Sequence, residues 1–445
     1  MYRSEQRPEV RPPARWRFAE PAQTWLDNGL HVVANHRPGQ HVAAVALVLD
    51  SPLNLEPAEV EGVATITQRC LDEGTSTHPG TRFAEALEDI GAVLTGGAGY
   101  SAATLTLEVP AARLGEALPL LAQAVREPEL RAEDVARHTS LRLAEIEHLL
   151  ANSAHRAQLA FRTACIPPRY RASRVPGGTA STVEEITRAD VISFHDTYYR
   201  PEGATLVISG DLDADVFARA GTAFGDWLPP GSTTVSHESP TARRPRCWLV
   251  DRPGAVQADV RLGGFGIDRS DPRWPDLHVA THALGGAFLS RLNRVLREEK
   301  GFTYGVHLAN SPMRDGGLLA VAGSFRTEVV VEAVDLAREL LDVTSSPITA
   351  TEVADAVTYT NGVAPLRYST ASGVTDRIAS LIGAGLSSEF VNASALALTR
   401  VTPESATQAI AELLPPDALS LVVVGDAAAL QHPLIEAGWP VVLHH

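Results

Sequence analysis

The chain has 445 residues, of which 44% are apolar and 20% charged, a balance typical of a folded protein of several domains. Lys and Arg number 38 against 53 Asp and Glu, and the resulting formal net charge of −15 disfavours nucleic-acid binding, which requires clustered positive charge. The three scattered cysteines predict a reducing compartment, and the polar first residues contain no secretory signal. We therefore expect a cytoplasmic protein without a membrane partner, since no apolar stretch approaches the ~20 residues that span a bilayer.

The predicted elements alternate between strands and helices. An apolar run over residues 42–49 predicts a strand, and apolar residues spaced by three or four predict a helix that stops at Gly91. Residues 131–166 contain neither Gly nor Pro, so they form one long helix or a helical pair. A second strand-like run lies at residues 256–262.

The two halves of the sequence repeat one plan. Residues 201–211 (PEGATLVISGD) predict a buried strand between turn residues, and residues 416–426 (PDALSLVVVGD) repeat it at an offset of 215 residues. Thr187 and Thr402 keep that offset, and each stands where a helix N-cap is expected. We predict an α+β fold of two homologous domains, each a mainly antiparallel sheet with helices packed on one face.

Composition sets the predicted domain boundaries. Residues 1–20 begin with interspersed Arg and Pro and form a flexible N-terminal tail. The N-terminal domain covers 21–228, the Pro-, Gly- and Thr-containing segment 229–246 is a linker, and the C-terminal domain covers 247–445.

One segment of the N-terminal domain carries a family pattern. Gly62, Ala64, Gly74 and Thr75 resemble the segment G-x-A-H-x-x-E-H-…-G-T, which contains the inverted zinc motif of the pitrilysin/insulinase family of metallopeptidases, especially its processing-peptidase-like members. The resemblance extends over most of the chain. It implies a fold built from pairs of α+β domains that enclose a chamber.

The three chemical positions of that motif differ here. Thr65 replaces the first His, Gln68 the Glu and Arg69 the second His. Zinc takes imidazole, thiolate or carboxylate ligands, Gln has no basic carboxylate to accept a proton from water, and Arg is a permanent cation. We predict that this chain holds no metal and that its own zinc-peptidase chemistry is lost.

The third ligand position of the family is retained. By resemblance it falls on a later long helix, where Glu145 stands in this sequence. A solvated helix carboxylate is the ordinary interpretation of such a Glu. The sharper hypothesis is that Arg69 and Glu145 form an ion pair where the metal would have been.

A second family pattern lies in the C-terminal domain. Residues 284–304 resemble the segment L-G-G-…-S-R-L-…-R-E-x-x-G-x-x-Y. The resemblance implies that Arg297 and Tyr304 bind substrate, reaching across the chamber to hydrogen-bond the peptide near its scissile bond, a role suited to donor groups. It also makes Gly285 and Gly286 a possible loop over the peptide channel, although a Gly pair often forms only a tight turn.

Residues 91–100 occupy the place of the family's substrate-pairing edge strand. They are rich in Gly, which weakens strand propensity, so we predict a turn there.

These expectations combine into one functional hypothesis. In two-chain members of the family, one subunit carries H-x-x-E-H and the other has lost it but supplies the Arg/Tyr pair. The sequence is of the second kind, which implies a non-catalytic subunit with no cofactor of its own, paired with a zinc-containing H-x-x-E-H subunit and a peptide substrate. A structural scaffold and a peptide-binding homodimer without peptidase activity are the alternatives.

Overall fold

The computed structural model describes residues 16–228 and 235–444. Each half of the chain folds into one sheet with its helices. The elements of the N-terminal half are β1 (Ala22–Trp25), β2 (His31–His36), β3 (Val42–Leu49), α1 (Val63–Arg69), α2 (Thr81–Asp89), β4 (Val93–Ala98), β5 (Ala103–Pro110), α3 (Leu114–Arg126), α4 (Ala132–Ala151), α5 (Ser153–Cys165), α6 (Ala180–Glu184), α7 (Arg188–Tyr198), β6 (Thr205–Gly210) and α8 (Val216–Phe224).

The C-terminal half has a corresponding series. Its elements are β7 (Cys247–Asp251), β8 (Gln257–Gly266), α9 (Trp274–Thr281), two π-helical turns (His282–Gly286 and Asn293–Glu299), β9 (Val306–Pro312), β10 (Gly317–Arg326), α10 (Val330–Leu341), α11 (Ala350–Arg367), α12 (Ala371–Gly383), α13 (Glu389–Leu398), α14 (Pro403–Leu413), β11 (Ser420–Gly425), α15 (Ala427–Glu436) and β12 (Val442–His444). None of the helices in these ranges combines the length and apolarity needed to cross a bilayer.

The two six-stranded sheets have matching strand orders, β1-β2-β6-β3-β5-β4 and β12-β7-β11-β8-β10-β9. β2 pairs with β6 in parallel, as β7 does with β11 and β12, and the remaining pairs are antiparallel. In the first sheet, Val45 lies opposite Ile208 on one side and Leu107 on the other. The predicted α+β class with two mainly antiparallel sheets is confirmed.

The repeated helix starts are also present. Thr187 and Thr402 are the N-caps of α7 and α14, and each forms a capping box with the residue three positions later. The strands that follow, β6 and β11, are buried along their whole length.

Each half contributes a helix to the sheet of the other half. Residues 131–166 form a helical pair, and Phe161 of the second helix, α5, packs with Val422 of β11 in the second sheet. Reciprocally, Ile378 of α12 packs with Val48 and Val207 in the first sheet. In addition to the predicted helices on one face, each sheet therefore receives a helix on its other face from the opposite half.

The prediction of a turn at residues 91–100 is wrong, because residues 93–98 form the edge strand β4. All six residues pair with β5, so the ladder of backbone hydrogen bonds compensates for the weak propensity of Gly. Packing also favours Gly at position 96, because a Cβ there would overlap the side-chain amide of Gln68.

Residues 1–15 of the predicted tail and 229–234 of the predicted linker lie outside the described residues. Within 16–20, Phe18 is buried, meets the Tyr368 ring edge-on, and its backbone N–H donates to Asn392 Oδ1 at 2.9 Å. Residues 235–246 form neither helix nor strand.

Candidate functional site

The position of α1 is fixed by a buried carboxylate. Glu56 Oε1 accepts hydrogen bonds from the backbone N–H groups of Gly62 (3.0 Å) and Ala64 (3.1 Å), which lie at the start of the helix. Glu56 Oε2 accepts from Arg171 Nη2 at 2.7 Å and Nε at 3.0 Å, and the two side chains are 0% and 2% exposed. Burial raises the pKa of the Glu56 carboxyl and the Arg171 charge opposes that shift. Neither residue was identified from the sequence, because their contact spans 115 positions with no local motif.

The predicted ion pair at the end of α1 is confirmed. Arg69 Nη1 and Nη2 donate to the two carboxylate oxygens of Glu145 on α4, at 2.9 and 2.8 Å. Arg142 Nη1 also donates to Glu145, at 3.2 Å, and Arg142 is itself held by the carbonyl of Gly177. The hydrogen bond from Arg69 is the largest influence that lowers the pKa of Glu145. Arg142 was not predicted, because no motif marks it.

Gln68 has become part of the core of the domain. Its side chain is buried, its Oε1 accepts from the Tyr199 hydroxyl at 3.1 Å, and its amide packs against Gly96 of the edge strand. Burial raises the pKa of Tyr199, which keeps the phenol protonated as the donor. Thr65, one turn earlier on α1, is partly buried.

These residues do not fit a zinc ion. The oxygens of Glu145 are already paired with two guanidinium groups, and Gln68 uses its only acceptor oxygen for Tyr199. Arg69 adds a positive charge where a dication would have to sit. Across residues 16–228 and 235–444, no three His, Cys, Asp or Glu side chains are grouped so that they could hold a metal ion. The site therefore lacks the means to activate water on a metal.

The second candidate region lies at the C-terminal half's π-helical turns. Arg297 donates from Nη2 to the Phe288 carbonyl at 2.9 Å and from Nε to Glu298 at 2.8 Å, and its guanidinium lies 3.8 Å from the centroid of the Phe288 ring. Tyr304 is 99% exposed. Arg297 is thus held by its own loop, while the phenol projects into solvent.

Gly285 and Gly286, predicted as a possible channel loop, lie in a helical turn. Both glycines belong to the π-helical turn His282–Gly286, and Gly285 is buried where a Cβ would overlap Leu308 of β9. Gly285 is therefore required for packing and not for mobility. A short loop follows at residues 287–290, in which Phe288 and Leu289 are 74% and 68% exposed.

Two duplicated α+β domains with an altered inverted zinc motif define a peptidase-like protein whose metal site has been replaced. The family description "Insulinase (Peptidase family M16)" matches residues 31–166, and "Peptidase M16 inactive domain" matches residues 185–359. The chain belongs to peptidase family M16.

Individual relatives agree with this assignment. An uncharacterized zinc protease of Mycobacterium tuberculosis is 29% identical over 327 residues, which cover 72% of this chain and 74% of the relative. The crystal structure of a peptidase M16 inactive domain from Pseudomonas fluorescens superposes with a TM-score of 0.85 at 23% identity, covering 92% of this chain and 98% of that one. A protease from Helicobacter pylori superposes with a TM-score of 0.83 at 16% identity, covering 93% and 100%. The two superpositions establish the shared fold.

Proposed function

We propose that this chain is the non-catalytic subunit of a heterodimeric zinc metallopeptidase. The proposal rests on the Arg69–Glu145 ion pair. In it Arg69 binds the carboxylate that stands, by resemblance, at the position of the family's third zinc ligand. A chain built in this way cannot generate a zinc-bound hydroxide. Hydrolysis therefore requires a partner that retains H-x-x-E-H and supplies both the zinc and the general base.

In this proposal the chain contributes to substrate binding. The exposed Tyr304 hydroxyl is a hydrogen-bond donor available to a peptide carbonyl. Arg297, seven positions earlier in the chain, contributes a positively charged guanidinium. Donors of this type stabilise a carbonyl oxygen that gains negative charge during attack by water. The contacts of Arg297 with Phe288 would hold the guanidinium in place before an extended peptide arrives.

The relatives and the cysteines support this assignment. The Mycobacterium tuberculosis relative carries the name zinc protease, and the Pseudomonas fluorescens structure carries the name inactive domain.

Cys70 and Cys165 are free and buried, as expected for a protein that works in the reducing cytoplasm. Burial raises the pKa of each thiol to about 12, so neither is a reactive thiolate at neutral pH.

The test is co-expression with a homologous chain that retains H-x-x-E-H, followed by hydrolysis of an internally quenched peptide. We expect the purified pair to cleave the peptide faster than the partner alone. Tyr304→Phe and Arg297→Ala should each lower kcat/KM roughly ten- to a hundredfold, since each removes a donor near the developing charge. Metal analysis of the isolated chain should find no stoichiometric zinc.

Arg294→Ala is the matched control. Arg294 lies in the same π-helical turn, but its side chain is exposed and its ionic contact with Glu299 is long, at 3.7 Å. It should leave the rate unchanged, and size-exclusion chromatography should show that all variants still assemble. If the pair forms but is no faster than the partner alone, and Arg297→Ala has no effect, the chain is a scaffold. Stoichiometric zinc in the isolated chain would contradict the replacement of the metal site.

A further inference from the structure

A cavity of about 400 Å³ lies between α9, α11, α12 and α13, and Trp16 of the N-terminal segment also lines it. Three arginines line it, Arg269, Arg367 and Arg377, and none of the described lining residues is Asp or Glu. The cavity belongs neither to the α1 region nor to the Arg297 loop. It combines three fixed positive charges with no opposing charge.

The three guanidinium groups have no ionic partners among the residues that the structure describes. Arg269 and Arg377 each lie over an aromatic ring, at 5.7 Å from Trp274 and 5.9 Å from Phe390. The Nε of Arg377 is buried and has no hydrogen-bond partner within the described part of the chain. Burial of an unpaired polar group is unfavourable, so a ligand that accepts hydrogen bonds would stabilise this arrangement.

Arg291, in the same half of the molecule, is a useful contrast. It is buried, and it donates to both carboxylate oxygens of Glu352, at 2.6 and 2.7 Å. Arg291 thus has a carboxylate partner, whereas the three cavity arginines have none among the described residues.

A histidine in the cavity wall responds to the same positive charge. Burial, together with the charges of His282 and of the three cavity arginines, lowers the pKa of His278 to about 4. His278 is therefore neutral at pH 7 and can still exchange a hydrogen bond with a ligand. Burial and the neighbouring Arg377 likewise lower the pKa of Arg269.

We propose that this cavity is a binding site for a small organic phosphate. A tetrahedral phosphoryl group presents several O–P–O edges, and each edge can accept two hydrogen bonds from one guanidinium, whereas a carboxylate presents one edge. Of the lining arginines, Arg367 is exposed and Arg377 is partly buried, so the site offers both an accessible and a more enclosed guanidinium. The aromatic wall formed by Trp16 and Tyr368, stacked at 5.2 Å, gives an organic substituent an apolar surface.

The test is isothermal titration of the full chain with phenyl phosphate, inorganic phosphate and benzoate at constant ionic strength, together with thermal unfolding. We expect phenyl phosphate to bind at one site per chain and to raise the Tm. Arg377→Gln and Arg269→Gln should each weaken its binding about ten- to a hundredfold, because each removes charge-assisted hydrogen bonds. Stronger binding of phenyl phosphate than of inorganic phosphate identifies an ester as the ligand. Equal binding of the two also supports the phosphoryl site but assigns it to free phosphate.

Arg400→Gln is the matched control, since Arg400 is exposed just beyond α13 and does not line the cavity. It should bind phenyl phosphate as the unaltered chain does. Without ligand, the Tm of Arg377→Gln should be no lower than that of the unaltered chain, because the substitution relieves repulsion between like charges. The proposal is overturned if neither phosphate binds saturably, if benzoate binds as tightly, or if Arg400→Gln loses as much affinity as Arg377→Gln.

Discussion

The α1 region and the Arg297 loop occupy the two halves of one duplicated fold, and they differ in how far their side chains reach solvent. Around α1, Glu145, Arg69 and Gln68 are all bound to other groups of the protein. At the C-terminal half's loop, Tyr304 and Phe288 face solvent. The side chains at the altered motif positions are therefore used in contacts within the domain, whereas Tyr304 and Phe288 remain accessible to another molecule.

The largest expected effect comes from reversing that conversion. In the triple variant Thr65→His, Gln68→Glu, Arg69→His, two imidazoles join Glu145, which loses the two hydrogen bonds from Arg69 and keeps the longer one from Arg142. Two His and one Glu are a set of protein ligands that catalytic zinc sites use. We expect the triple variant to retain about one zinc ion per chain after dialysis, measured by atomic absorption, and the unaltered chain to retain essentially none.

The double variant Thr65→His, Gln68→Glu is the control that leaves Arg69 and its ion pair in place. It supplies a His and a carboxylate but leaves the cation bound to Glu145, so it should not retain zinc. If it binds zinc as well as the triple variant does, the ion pair is not what excludes the metal.

The next largest effect concerns the support beneath α1. Glu56→Ala removes the acceptor for two backbone N–H groups and leaves the buried Arg171 without its charge partner. Breaking a buried pair in this way should lower the free energy of unfolding by about 3–5 kcal/mol, measured by urea denaturation. Glu116→Ala is the control, because its pair with Arg113 is exposed and should leave the midpoint of unfolding unchanged. Equal losses in the two variants would show that burial does not govern the energetics here.

Much of this architecture could be predicted from local sequence. The offset of 215 residues placed Thr187 and Thr402 at equivalent helix starts, and the altered motif led directly to the Arg69–Glu145 pair. These predictions succeeded because capping depends on neighbouring residues, and because the family resemblance had already aligned positions on separate helices.

Contacts between distant segments could not be predicted in the same way. The exchange of α5 and α12 between the sheets depends on how the two halves pack, and either helix alone has an ordinary sequence. The strand at β4 forms because β5 is available to pair with it, against the preference of its own glycines. The Glu56–Arg171 contact has no signature at either residue.

The smallest expected effect tests how strongly the replaced metal site is held. Arg69 and Glu145 are 31% and 43% exposed, so solvent screens their attraction, and Arg142 continues to pair with Glu145 after Arg69→Gln. We expect that substitution to cost about 0.5–1 kcal/mol at pH 7. Because folding lowers the pKa of Glu145, the contribution of the pair is present above the unfolded carboxyl pKa of about 4.3 and is lost as the pH falls through the folded value. The Tm difference between the two proteins should therefore shrink below about pH 4.

Arg82→Gln, an exposed change on α2, should give no such pH-dependent difference. A Tm difference that persists undiminished at pH 3 would mean that Arg69 stabilises the helix through packing of its side chain and not through the charge of Glu145.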